Sequence, residues 1–174
     1  MEFDVDAIVE IDRLNMAHIF TASGGKFDPQ FRRDRILIEL EEGATFLCIH
    51  KLGQLVAYLE IMNEPGELCY VMSIQIHPSN QHGSILRSLL SAAYEQLEVG
   101  TPKEIKTSVH FNNFRSVNLH RKLGFKETRR EGDRILFRIE GKHLLQRLAR
   151  YKTNGTANIK TFNARPGTRD GLFS

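Results

Sequence analysis

The 174-residue sequence has no tryptophan, only two cysteines and five prolines, and only a small formal charge of +3. Cys48 and Cys69 stand apart, with no Cys-x-x-Cys and no clustered histidine, which argues against a disulfide scaffold and a zinc site; no metal is expected. No apolar stretch approaches the ~20 residues that span a bilayer, so no membrane partner is expected. The opening Met1-Glu2-Phe3-Asp4-Val5-Asp6 is acidic where a secretory signal would be basic and then apolar, and the expected location is cytoplasmic. The weak net charge gives nucleic acid little support as a partner. What is present, 41% hydrophobic and 26% charged residues, is the composition of one globular domain with a sizeable core.

Charge is uneven along the chain. Residues 142–174 hold seven basic residues against one acid, Asp170, whereas the first 141 residues carry a slight acidic excess. The expected organisation is a single domain over 1–151 and a basic, poorly packed extension over 152–174 that docks on the body or on a partner. That extension has no interleaved aromatic platform for stacking bases. Asn154-Gly155-Thr156 matches a glycosylation sequon only by pattern.

Periodicity gives the elements. Ala7, Ile8, Ile11 and Leu14 share a helical face, and Asp28-Pro29 starts a second helix with Ile36, Leu37 and Leu40 as its stripe. Three strands follow, over 44–50, 55–62 and 68–77. Ile85, Leu86, Leu89, Leu90, Ala93 and Leu97 form the next helical face, and Ile105, Thr107 and Val109 alternate as a strand. Asn113 opens a helix ending at Gly124, a hairpin spans 125–140, and a short helix spans 142–151. The order ααβββαβαββα calls for an α/β fold with a mixed sheet flanked by helices.

Two segments point to chemistry. In Ile74-Gln75-Ile76-His77-Pro78-Ser79-Asn80-Gln81-His82-Gly83-Ser84-Ile85-Leu86 a strand runs through a polar loop directly into a helix. Backbone N–H groups and the positive end of the helix converge there, a ready site for phosphate. The second is Asn113-Phe114-Arg115-Ser116-Val117-Asn118-Leu119-His120-Arg121-Lys122-Leu123-Gly124-Phe125. It resembles the second signature of the GNAT superfamily, the GCN5-related N-acetyltransferases (Asn-x-x-Ala/Ser-x-x-Leu-Tyr-x-Lys-x-Gly-Phe). The match holds at Asn113, Ser116, Leu119, Lys122, Gly124 and Phe125. The first segment is similar to the family's coenzyme A loop at Ile76, Pro78 and Gln81, with Ser84 and Leu86 on its two small positions and no Arg or Lys within the loop.

The resemblance implies a GNAT-like, mostly antiparallel central sheet with helices on both faces, splayed between the strands ending at His77 and His110. It implies acetyl-CoA, or another acyl-CoA, as co-substrate. Its contacts would be Ile74, Gln75 and Ile76 on the strand, Gln81, His82, Gly83, Ser84, Ile85 and Leu86 at the loop and helix start, and Asn113. Backbone N–H groups of Ile74 and Ile76 would face the thioester carbonyl. His120 takes the place of the family's tyrosine, the acid that protonates the departing thiolate. For the base, Glu60 is placed first, with Glu67 the other carboxylate and His50 and His77 as water-mediated relays.

The implied function is an acyl-CoA-dependent N-acyltransferase acting on a small-molecule or peptide amine by direct attack. The alternative is a catalytically impaired GNAT-fold binding or regulatory module, suggested by the altered loop and by His120. The acidic residues before position 70 point to a cationic acceptor or to a solvated acidic face. A homodimer stays open.

Overall fold

The computed structural model describes residues 3–64, 67–81, 83–152 and 159–163. His82, the sequon and most of the C-terminal extension therefore lie outside the described residues.

The first two helices begin at side-chain caps. The Ala7 N–H donates to Asp4 Oδ1 at 2.9 Å to start α1 (Val5–Ala22). The Phe31 N–H donates to Asp28 Oδ1 at 3.0 Å to start α2 (Pro29–Glu41), with Pro29 in the first turn. Three antiparallel strands follow, β1 (Thr45–Lys51), β2 (Gln54–Glu64) and β3 (Leu68–Ile76). A short 3₁₀ turn at Pro78–Asn80 leads to α3 (Gly83–Val99), β4 (Glu104–His110) and α4 (Phe114–Lys122). The hairpin β5 (Lys126–Glu131) and β6 (Arg134–Glu140) precedes α5 (Gly141–Leu148).

The last strand, β7 (Ile159–Asn163), lies in the segment read as an extension that docks on the body or on a partner. It pairs antiparallel with β1, from Thr45↔Asn163 to Ile49↔Ile159. Phe162 lies in an aromatic group with Phe3, at 5.1 Å between centroids, and Phe3 in turn meets Phe46 at 5.0 Å. Five residues with two apolar members on opposite faces, Ile159 and Phe162, carried too weak a pattern to stand out in the sequence, yet they suffice to cover an open sheet edge.

The seven strands form one sheet in the order β5-β6-β4-β3-β2-β1-β7, parallel only between β3 and β4. Strand alternation feeds two cores. Ile8, Ile11 and Ile36 of α1 and α2 pack on Phe46, Cys48 and Tyr58. Leu47, Ile49, Leu59 and Ile61 face the other way, onto α3 and α5 through Leu89, Leu90, Leu144 and Leu148. Gly141 holds α5 against the 101–103 loop. Its N–H donates to the Lys103 carbonyl at 3.0 Å, and a Cβ there would run into the Pro102 carbonyl oxygen.

Two features of β3 position the site. Opposite Glu60 and Ile61 of β2 stand Ser73 and Val71, so Met72 is an extra, unpaired residue in a β-bulge. On its other side β3 pairs with β4 only from Leu68↔Glu104 to Val71↔Thr107. Beyond Thr107 the two strands are no longer partners, and the sheet opens.

A candidate active site in the opened sheet

The opening leads into a cavity of about 470 Å³ that reaches under α1 and α2. The β3 backbone along it has a fixed orientation. The His77 N–H donates to the Val56 carbonyl of β2 at 2.8 Å, so by strand alternation the N–H groups of Ile74 and Ile76 point away from β2, toward the gap. The Ile76 carbonyl, on the same side, accepts from Asn15 Nδ2 of α1 at 3.0 Å. Asn15 Nδ2 also donates to Gln75 Oε1 at 3.0 Å, which turns the Gln75 side chain to the α1 face.

At the floor stands a buried charge cluster. Arg32 of α2 uses each guanidinium nitrogen once: Nε on Asp12 at 2.7 Å, Nη1 on Glu39 at 2.9 Å and Nη2 on Glu60 at 2.7 Å. Arg35 Nε gives Glu39 a second partner at 3.0 Å. Tyr58 donates its hydroxyl to Asp12 and lies 3.1 Å from Ser73 Oγ. Glu60 is fully buried, and while Oε2 is held by Arg32, Oε1 has no hydrogen-bond partner. Burial pushes the Glu60 carboxyl up to about 8, with Glu39 adding to the push and Arg32 opposing it. Burial also raises Asp12, against the pull of Arg32 and Tyr58.

His120 of α4 lines the same cavity and is 4% exposed. Its ring stacks on Phe137 at 5.9 Å and meets Phe125 edge-on at 5.2 Å. Nδ1 lies 2.8 Å from the Ser116 carbonyl, a pure acceptor, so the neutral ring carries its proton there and leaves Nε2 bare. Burial lowers the His120 pKa below its ordinary 6.5, with the Ser116 carbonyl opposing.

The other sequence-predicted residues sort by position. Asn113 lines the cavity and caps α4, its Oδ1 accepting from the Ser116 N–H at 3.1 Å. Gln81 bridges the gap: Nε2 lies 3.4 Å from the Ile76 carbonyl, and Oε1 accepts from Arg115 of α4. Gly83 and Ser84 are exposed at the start of α3, and a Cβ on Gly83 would meet nothing within 4 Å. Ile85 and Leu86 instead pack on the α3-side core, so the bulk at position 86 turns inward. Of the possible bases, only Glu60 lines the cavity. Glu67 precedes β3 at its paired end, with Lys103 at 2.9 Å. His50 and His77 line a different depression, and His77 Nδ1 accepts from the Ser79 N–H at 3.3 Å.

Several site residues were not singled out from sequence as such: Arg32, Tyr58, Ser73 and Arg115, and Asp12 and Glu39 beyond their part in an acidic excess. A signal existed for three of them. Asp12 is four residues after Ile8, and Arg32 and Glu39 flank Ile36 at helical spacing, so all three charges fall on buried stripes. Arg115 brings to the loop the cation that the loop itself lacks.

Residues 12–125 match the model of the acetyltransferase (GNAT) family. No curated protein sequence matches the chain. Among solved structures, the chain is similar to the PaiA N-acetyltransferase of Thermoplasma acidophilum in complex with coenzyme A, at 16% identity and TM-score 0.65, over 79% of this chain and 92% of that one. It is also similar to the ribosomal-protein-S18-alanine N-acetyltransferase of Escherichia coli, at 18% identity and TM-score 0.63, over 81% and 90% of the two chains. A GNAT-family acetyltransferase of Staphylococcus aureus Mu50 gives 15% identity and TM-score 0.66, over 80% and 96%. At these identities the likeness is one of fold.

Proposed function

The chain belongs to the acetyltransferase (GNAT) family, and from that premise we propose that it transfers an acyl group, acetyl by preference, from coenzyme A to a primary amine by direct attack. The observation that carries this reading is the parting of β3 from β4 after Val71↔Thr107 above the unpartnered oxygen of buried Glu60. Acetyl-CoA supplies the activated thioester. The gap-facing N–H groups of Ile74 and Ile76 suit its carbonyl oxygen, donors fixed before any charge develops. The exposed start of α3 at Gly83 and Ser84, with Gln81 and Arg115 beside it, suits the diphosphate.

Glu60 acts as the general base. With Oε2 anchored on Arg32, Oε1 remains to take a proton from the amine, and a pKa of about 8 matches that task near neutral pH. The nitrogen–carbon bond forms, the carbon–sulfur bond breaks, and the thiolate takes a proton from His120. Burial makes the imidazolium scarce at neutral pH, and a developing thiolate beside it favours that charged form. Solvent then takes the proton from Glu60 and returns one to His120.

Calorimetric titration with acetyl-CoA, followed by thiol release over an amine panel, tests the reading. Binding with turnover is expected. Binding with no turnover on any amine would instead favour a regulatory module, and no binding would end both readings.

A further inference from the structure

Resting on the acyl-transfer reading, we propose that the acceptor is a monoamine on an apolar, aromatic-sized body, rather than a polyamine or a lysine-rich peptide. The wall of the cavity away from β4 is apolar: Met16 and Phe20 of α1, Phe27 before α2, Phe31 of α2 and Met72 of the bulge. Three of these are unusually exposed for their size, with Phe31 at 69%, Phe20 at 38% and Met72 at 37%. Phe20 and Phe27 already form an edge-to-face pair at 6.1 Å, a geometry that a further ring can extend. Exposed aromatics gathered at the mouth of a cavity mark a surface meant to be covered.

Charge sets the number of amines. Five ionisable groups pair at the floor: Asp12, Glu39 and Glu60 against Arg32 and Arg35. Two guanidiniums meet three carboxylates, so a single negative charge is unmatched when all are ionised. The carboxylate oxygen without a partner is Glu60 Oε1. One ammonium group fits there. A second would lie toward the mouth, where Lys26 and Arg134 line the cavity. Among the described lining residues the carboxylate there is Asp28, whose Oδ1 already accepts the Phe31 N–H; Asp133, just outside, is held by His110 at 3.1 Å. The acidic residues near the N-terminus therefore do not add up to a polycation site, because those at the cavity floor are consumed by arginine.

The test compares 2-phenylethylamine, spermidine and a lysine-rich peptide in thiol release with acetyl-CoA, after acetyl-CoA binding has been measured by calorimetry. A kcat/KM for 2-phenylethylamine at least about tenfold above the other two is expected, the scale on which apolar pockets discriminate. N-acetyl-2-phenylethylamine should also bind the protein more tightly than N-acetylspermidine. Phe31→Asp, at an exposed first-turn position where an acid suits the helix, should fold and narrow the preference about tenfold. If acetyl-CoA binds and spermidine or the peptide is preferred, the inference fails while acyl transfer stands. If Phe31→Asp leaves the preference unchanged, the apolar wall does not select the acceptor. If acetyl-CoA does not bind and no amine is turned over, the acyl-transfer reading fails first.

Discussion

At the scale of single residues, Glu60 shows how burial turns an ordinary carboxylate into a base. Its neighbours hold one oxygen and leave the other open, and burial moves its titration up to about 8. With the imidazole removed in His120→Tyr, so that Glu60 alone titrates in this range, the rate should therefore rise with pH through about 8, as Glu60 loses its proton. Glu60→Gln should remove that limb from the pH profile and lower kcat by roughly 10²–10⁴-fold. The same shift has a stability consequence. Because the folded pKa lies above the ordinary 4.5, the folded state holds the proton more firmly. Its stabilising contribution is complete below 4.5 and is lost as pH rises through about 8, so urea melts of Glu60→Gln should show a flatter pH dependence across that window. His120 makes the opposite case, with its pKa lowered by burial. His120→Tyr should retain or raise turnover, whereas His120→Phe should lower it with acetyl-CoA affinity unchanged. Equal rates in all three would remove the proton-donor role.

At the scale of elements, the junction of β3, the loop and α3 separates cofactor contacts from core. Leu86 packs into the α3-side core rather than over the helix start. Leu86→Ala should thus cost about 1–2 kcal/mol in thermal unfolding, for a partly buried side chain, and leave acetyl-CoA affinity unaltered. Arg115 reaches the same loop from α4 and meets Gln81. Arg115→Ala should weaken acetyl-CoA about tenfold in calorimetry, as expected for one charge-assisted hydrogen bond to phosphate, with melting unchanged. The two substitutions fall on opposite sides of one short segment and should affect different observables.

At the scale of the molecule, the sheet has two edges handled differently. β5 is exposed along its length and carries Lys126, Arg129 and Arg130, charges that discourage further pairing. β1, apolar and buried, is instead covered by β7. Truncation after Lys152 should lower the melting temperature and bring concentration-dependent association, read by light scattering, because it uncovers the β1 backbone and Phe46. A truncated chain that stays monomeric and melts at the parent temperature would show that β7 contributes nothing.

What the sequence by itself determined is local. Periods of 3.6 and 2, the Asp28-Pro29 start and the helix end at Gly124 mark the elements, since each depends on residues within one or two turns. The segment Asn113–Phe125 was legible for the same reason, since its residues serve one helix and its cap. What only the tertiary structure decided is which distant side chains meet. Glu60 lies 28 positions from Arg32 and Tyr58 lies 46 from Asp12, and no periodicity registers such pairs. The sequence offered two carboxylates, Glu60 first and then Glu67, with His50 and His77 as water-mediated relays, and nothing local to them separates these four. The bulge at Met72 and the parting of β3 from β4 bring only Glu60 to the cavity. Whether a carboxylate is a solvated charge or a buried base depends on its surroundings, and the surroundings here are assembled by the sheet.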